Sequence, residues 1–330
     1  MLAEYGNIIM NELVTICVAT YNRKDKLMGT LKSILNQTYR NIQIIIVDDC
    51  STDGTRNYIE ENILKIDRRI LYIKHDCNKG LASARNTAIN NANGKYFTFC
   101  DDDDRWEVDF IAEFVDLAKD YNSDWCFFCG GKYTNLLGTV VNTTKNVECS
   151  LRNYIKLGFT PPVASQFYFL ESLIKIRGYN EEIKSGVDHD LWFRLAKINT
   201  QIKSLPIPLS IQNSGINVDR ITTNYSNRIN GIKRSLVIWE KDLVLMYGVE
   251  FYEKYSLAYL EREKYFLFNL YLTELQLRQA FFIINEIPIS KSLRIILRVS
   301  IKIFIKNISP KFILPKEYNL IMMPTIKILQ

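Results

Sequence analysis

Between residues 13 and 100 the chain alternates short, β-branched apolar runs with segments of helical periodicity, and this alternation limits the fold more than any other feature. Leu13–Ala19, Ile42–Val47, Ile70–Ile73 and the run ending at Cys100 have the length and composition of strands buried on both faces of a parallel sheet. Leu27, Leu31, Ile34 and Leu35 recur at helical spacing within Asp25–Gln37, with Asp25 as the expected N-cap. A second helix is expected from an N-cap at Asp53 to about Leu64. A third opens at Lys79-Gly80-Leu81 and ends at Asn93-Gly94, a pair suited to a left-handed C-cap. Strand–helix alternation of this kind implies right-handed crossovers and a mainly parallel sheet, in which ligands bind beyond the carboxyl ends of the strands. Thr20, Asp49 and Asp101–Asp104 all fall at such ends.

Four adjacent aspartates repel one another and cost stability unless something positive sits among them. A solvated acidic loop is the bland reading. A divalent cation is the chemical one, because carboxylate oxygens suit hard ions such as Mg²⁺ or Mn²⁺, and Mg²⁺ is usually held by one or two carboxylates plus substrate phosphates. A second pair of acids, Asp188 and Asp190, lies at the start of a helix marked by Leu191, Trp192 and Leu195, where the helix dipole favours ionised carboxylates. His189 between them is expected to be structural or solvent-facing. Asp49, Ser51, Asp53, Gly54 and Glu60 also fit a calcium-loop template, but the β-branched run before them argues for a strand where that template needs a helix. A metal-binding acid cluster and a distant carboxylate are the minimum for displacing a diphosphate. The metal neutralises charge on the leaving group, and the carboxylate takes a proton from the attacking hydroxyl. One base without a separate nucleophile points to single displacement with inversion.

Taken together, Val14–Asn22, Val47-Asp48-Asp49 through Asp53, Asn78-Lys79-Gly80 through Arg85-Asn86, Asp101–Asp104 and Asp188–Leu195 resemble the ordered motifs of family 2 glycosyltransferases of the GT-A fold. The resemblance covers roughly residues 12–200. It implies a GT-A, Rossmann-like α/β domain with a mainly parallel central sheet flanked by helices, a nucleotide-sugar donor (commonly a UDP-sugar), a Mn²⁺ or Mg²⁺ ion, and inversion. It would place Thr20, Tyr21, Arg23, Asp49, Lys79, Gly80, Arg85, Asp101 and Asp102 around the donor. Asp103 and Asp101 would sit at the metal, with Asp103 the more direct ligand, and Asp188 would be the base, with Asp190 as the alternative. Three departures stand out: Cys50 where a glycine is usual, Cys100 before the acid run, and Val187 where an acid commonly precedes the base.

The 330 residues, 47% hydrophobic, can bury a large core, and two parts are expected: residues 1–215 as the catalytic domain and 216–330 as a helical appendage. Long helical segments are expected at Asn227–Tyr247 and Glu250–Ile284, with their aromatics used for packing. Near 290–307 the cations Lys291, Arg294, Arg298, Lys302 and Lys306 recur on one face of an apolar helix, which suits the surface of an anionic membrane. With no secretory leader or membrane-spanning run in view, the expected location is cytoplasmic and peripheral on the inner face of the membrane. Seven cysteines lack a disulfide or zinc spacing and read as reduced thiols. The expected function is transfer of a sugar to a glycan or lipid-linked acceptor in surface polysaccharide, lipopolysaccharide or capsule biosynthesis, with no nucleic-acid partner. The alternative is a catalytically silent nucleotide-sugar- or glycan-binding protein of the same fold. A sugar-nucleotide pyrophosphorylase is disfavoured because Ala19–Arg23 contains no glycine.

Overall fold

The computed structural model describes residues 12–65, 67–135, 138–142, 147–156, 163–213, 224–273 and 283. In chain order the elements are β1 (Val14–Thr20), α1 (Lys24–Leu35), β2 (Ile42–Asp48), α2 (Thr55–Asn62), β3 (Ile70–Lys74), α3 (Leu81–Asn90), β4 (Tyr96–Phe99), β5 (Arg105–Trp106) and α4 (Phe110–Ala118). They continue as β6 (Trp125–Asn135), β7 (Gly138–Asn142), β8 (Glu148–Ser150), α5 (Leu151–Lys156), a 3₁₀ turn at Val163–Ser165, β9 (Gln166–Phe169), α6 (Leu170–Lys175), α7 (Val187–Lys197), β10 (Gln201–Asn213), α8 (Tyr225–Tyr247) and α9 (Val249–Thr273).

The sheet runs β3-β2-β1-β4-β9-β6-β10-β5, with β8 beside β10. Its first four strands are parallel, as the alternation to residue 100 requires, and β1 is central to that half, pairing Val14 with Ile42 on one side and with Tyr96 on the other. Beyond β4 the pairing turns antiparallel, starting with Phe97 opposite Tyr168. The β-branched strands are apolar on both faces because helices cover both: Val14, Ile16, Val18, Ile44 and Ile46 pack with Leu27, Leu31 and Ile34 of α1 and Ile59 of α2, while the alternate residues Cys17, Ile45 and Val47 are also buried and α3 lies against β1 and β2. A second layer is aromatic, with Trp106 stacked on Phe110 and Phe114 stacked on Phe167.

Several boundaries differ from the sequence reading. Arg23, not Asp25, precedes α1, and Asp25 lies within its first turn. Asp53 sits one residue before the N-cap of α2, which is Gly54 at φ 85°. The Asp53 carboxylate still bonds the first turn, accepting from Thr55 N at 3.1 Å. β10 runs through Pro206 and Pro208, which cannot donate to a ladder, and has no counterpart in the sequence reading.

The described residues divide into two compact units, the first reaching Asn213 except for short pieces at 134–140 and 156–158, the second containing α8 and α9. Within the second unit α8 packs on α9 through Trp239 against Tyr259 and a buried ion cluster in which Arg228 and Arg262 share Glu263. Tyr255, Tyr259 and Phe268 are buried there, in line with packing. No helix among the described residues is long and apolar enough to cross a membrane. The basic segment near 290–307 lies outside the described residues.

The usual glycine after the paired aspartates has a backbone explanation. Cys50 sits at φ 71°, in the left-handed region, and its thiol lies 3.4 Å from Asp76 O. A side chain there costs roughly 1 kcal/mol or more. Cys50→Gly should therefore raise the unfolding free energy by about 0.5–1 kcal/mol in urea titration, after the lost Sγ contact is set against the strain.

Candidate active site

The loops at the carboxyl ends of β1 and β2 are tied to each other before any ligand is considered. Asn22, itself at φ 53°, accepts from Thr52 N through its side chain at 2.7 Å, while Asn22 N donates to Ser51 Oγ at 2.8 Å. Lys24 N donates to Asp53 at 3.0 Å, and Asp49 N donates to Thr20 O at 2.9 Å. Asp48 is fully buried, accepting from Ser51 N and from the Tyr72 hydroxyl.

Asp49 reaches across to the next loop. Its carboxylate accepts from Lys79 N at 2.8 Å and Gly80 N at 2.7 Å, and lies 2.7 Å from His75 Nδ1. Gly80 is at φ 92°, which a glycine tolerates, and α3 starts at the next residue. His75 was not singled out in the sequence. It is one of two histidines, and only the fold brings it against Asp49 and Thr87.

Arg85 is the centre of the arrangement. It is 1% exposed, donates from Nη1 to Asp188 Oδ1 at 2.6 Å and from Nη2 to Asp101 Oδ1 at 2.8 Å, and lies over the rings of Phe99 and Tyr179. Burial works against its charge, but Asp188, Tyr179 and Asp101 outweigh that and hold its pKa well above the ordinary value. Tyr179, also unmarked in the sequence, donates its hydroxyl to Asp188 Oδ1 at 3.3 Å. The Asn86 side chain clasps the Tyr179 backbone, accepting from its N–H at 2.7 Å and donating to its C=O at 2.9 Å. Gly178 is required beside it, because its φ of 64° suits glycine and a Cβ there would clash with Asn86 Oδ1.

Asp188 sits at the first turn of α7, after Gly186 at φ 78°. Burial raises its pKa, Arg85 lowers it and Asp101 raises it, with a net shift upward. Both of its neighbours use Oδ1, leaving Oδ2 without a protein partner among the described residues. Asp190 is different: it is fully buried and bound to Arg194 Nε at 2.7 Å on its own helix.

The repulsion expected within Asp101–Asp104 is met largely by two arginines. Arg23 Nη1 lies 2.8 Å from Asp102 and 3.5 Å from Asp103, and Arg85 takes Asp101. Thr20 Oγ1 donates to Asp102 Oδ2 at 2.8 Å, and Thr30 Oγ1 donates to the main-chain oxygen of Asp104 at 2.7 Å. A cation is still chemically accommodated, since the Asp101 side chain is 39% exposed and its Oδ2 has no partner among the described residues. Among those residues no group of three or more His, Cys, Asp or Glu forms a metal cluster. A Mg²⁺-type site completed by substrate phosphates does not need one. The Tyr21 and Lys79 side chains are exposed and make no hydrogen bond or ion pair among the described residues.

The buried thiols are poor nucleophiles. Burial pushes Cys17 and Cys129 up to about 12, and Cys126 further still.

The model of glycosyl transferase family 2 matches residues 15–163. An undecaprenol-linked β-1,3-glucosyltransferase of Escherichia coli, WfaP, whose name specifies UDP-Glc and α-D-GlcNAc-diphosphoundecaprenol, is 52% identical over 108 residues, covering 33% of this chain and 42% of WfaP. The putative colanic acid biosynthesis glycosyl transferase WcaA of Escherichia coli K12 is 40% identical over 193 residues, covering 56% of this chain and 66% of WcaA. This chain thus spans less than half of WfaP and just under two thirds of WcaA. Among solved structures, Staphylococcus aureus TarS 1–349 in complex with UDP-GlcNAc superposes with a TM-score of 0.61 at 19% identity, over 83% of this chain and 80% of that one.

Burial raises Asp102 to about 6, against the lowering effect of Arg23. A folded-state pKa above the unfolded one means that the folded protein binds this proton more tightly. The associated stability is complete below about pH 4 and is lost as pH rises through about 6. Without divalent cations, Asp102→Asn should flatten the stability–pH curve between pH 4 and 6 by about 3 kcal/mol. Arg23→Gln should move the Asp102 titration, followed by carboxyl NMR, above 6.

Proposed function

With residues 15–163 belonging to glycosyl transferase family 2 and the fold being GT-A, we propose that the chain is an inverting glycosyltransferase that moves a sugar from a nucleotide-sugar, a UDP-sugar, to a hydroxyl of a glycan or lipid-linked acceptor in surface polysaccharide biosynthesis. The observation that carries this reading is the Arg85 bridge, which sets Asp101 at the end of β4 and Asp188 at the start of α7 on one guanidinium. The donor reading is supported by the UDP-GlcNAc bound in TarS, and the acceptor reading by the lipid diphosphate in the name of WfaP.

In this mechanism Asp188 is the base. Its Oδ1 is committed to Arg85 and Tyr179, so Oδ2 receives the proton of the acceptor hydroxyl. The acceptor oxygen bonds the anomeric carbon as the bond to the donor phosphate breaks, and the electron pair leaves on the nucleoside diphosphate. One displacement inverts the configuration. Burial and the neighbouring Asp101 raise the Asp188 pKa against the opposing effect of Arg85, which makes it a stronger base than a free aspartate. Arg85 fixes the orientation of the carboxylate and counters the charge of Asp101 beside it. Asp101, through Oδ2, and Asp103 would hold a Mn²⁺ or Mg²⁺ ion, which when bound neutralises charge on the departing diphosphate. Thr20 and Tyr21 would line the nucleobase pocket, with Asp102 near the ribose or phosphates, while Asp49, bonded to Lys79 N, Gly80 N and His75, would hold the loop beside them. Lys79 and Gly80 open the loop nearest the phosphates.

Incubation of the chain with a panel of UDP-sugars and Mn²⁺ should release UDP. Asp188→Asn should lower that turnover by a factor on the order of 10²–10⁴ while leaving UDP affinity within a few-fold. Asp190→Asn should instead lower the melting temperature, because it strips Arg194 of a buried partner. Nucleotide binding without turnover, unchanged by Asp188→Asn, would favour the silent binding protein.

A further inference from the structure

Two cations beside one side of α1, Lys26 of the helix and Arg105 of β5, have no ion pair among the described residues. Lys26 Nζ is shielded from solvent and has no hydrogen-bond partner, and the Arg105 guanidinium forms no ion pair or hydrogen bond among the described residues. Positions 26, 29, 30 and 33 share one side of the helix, and the segment after the acid run packs along that side. Thr30 Oγ1 donates to the main-chain oxygens of Asp104 and Asp101, and Trp106 N donates to Ser33 Oγ at 3.3 Å. The Arg105 guanidinium lies against Gly29, where a Cβ would come within 2.7 Å of Nη2. Lys26 is one turn N-terminal to Gly29, on the side that faces Arg105, and side chains on a helix lean toward its N-terminus.

Nearby carboxylates do not pair with Lys26. Asp25 is exposed and makes no ion pair with it, Asp101 is held by Arg85, Asp102 and Asp103 are held by Arg23, and Asp104, buried beside Thr30 with no hydrogen bond to its Oδ1, forms no ion pair with Lys26. A shielded ammonium without an acceptor is costly, and such orphans in native proteins mark an absent ion, water or ligand. An ammonium and a guanidinium on the same side of a helix suit the oxygens of a phosphate, one as a point charge and the other as a fork.

We propose that Lys26 and Arg105 form a phosphate subsite at the edge of the candidate active site, taking a diphosphate group. On the glycosyltransferase reading, that diphosphate belongs either to the donor or to a lipid-linked acceptor. The anion requirement itself does not rest on that reading.

Inorganic pyrophosphate, titrated calorimetrically into the full chain in EDTA, tests the subsite without any turnover. The parent should bind it, Lys26→Met and Arg105→Gln should each weaken binding about tenfold or more, and Lys26→Arg should stay within about threefold. Lys26→Met should also melt at or above the parent temperature, since it removes an unpaired shielded charge. Absence of binding in the parent, or equal binding in all variants, overturns the proposal. So does a lower melting temperature in Lys26→Met with unchanged affinity, which would make Lys26 a structural residue. Repeating the titration with UDP separates the two sources: affinity falling in step with pyrophosphate assigns the donor, and unchanged UDP affinity assigns the acceptor. A protein that turns over no nucleotide sugar but binds pyrophosphate through Lys26 would keep the subsite and lose the proposed reaction.

Discussion

The Arg85 guanidinium is the contact on which the rest of the site depends. It is buried, it is charged, and its two outer nitrogens are committed to carboxylates 16 and 103 residues away along the chain. A buried charge of this kind is tolerated only with partners of good geometry, and removing one partner from such a pair costs about 3–5 kcal/mol. The requirement runs in both directions: Asp188 and Asp101 can stand close together at the sheet edge only because Arg85 lies between them. A lysine in its place would carry the charge but could not bond two acids with a planar fork. The rings of Phe99 and Tyr179 fill the space beside the guanidinium, so its position is set by packing as well as by charge.

A second layer of constraint holds the strand ends. Asp48, Asp49, Asn22 and Asp53 spend their side chains on backbone N–H groups of neighbouring loops, which cannot find partners in the sheet once the strands have ended. These bonds join the β1, β2 and β3 ends into one floor. Asp49 links that floor to the residues just before α3, the helix that carries Arg85. Asn86, the next residue on α3, clasps the Tyr179 backbone on the far side. Two adjacent residues of one helix thereby orient both hydrogen-bond donors of Asp188.

The parallel half of the fold was legible because apolar runs and helical periodicity are local properties, and each element from β1 to β4 can be read from its own residues. The antiparallel half was legible only in part: the apolar runs Trp125–Phe128 and Ala164–Leu170 read as strands and fall in β6 and β9, but the strands beyond them did not. β5 is two residues long, and β10 contains two prolines that weaken any strand reading. The carboxylates of the site were legible from the unfavourable clustering of like charge. The arginines that answer that charge were harder to place, since one cation on a polar turn and another within a helix look like solvated surface. His75 and Tyr179 gave no sign of their roles, because each acquires its role only when loops distant in the chain meet, and the motif containing Asn86 did not show which backbone it clasps. Cys50 is an intermediate case: its departure from the usual glycine was visible, but the reason lay in a backbone angle that the sequence does not print.

The distribution of charge also separates the acids by task. Asp102 has its oxygens on Arg23 and Thr20, Asp190 is sealed against Arg194, and Asp49 is spent on its loop. Asp101 and Asp188 differ from these because each has one oxygen on Arg85 and a second oxygen with no protein partner among the described residues. A carboxylate so held is oriented by one oxygen and chemically available through the other, which is what a metal ligand and a proton acceptor both need. Sharing a single guanidinium also makes the two responsive to each other. Whatever draws negative charge from Asp101 removes an influence that raises the Asp188 pKa, and leaves Arg85 with more of its field for the base. On the proposed reaction, the group that accepts the proton and the group nearest the departing phosphate are therefore coupled through one side chain, and the order of β1 to β4 in the sheet is what brings them within its reach.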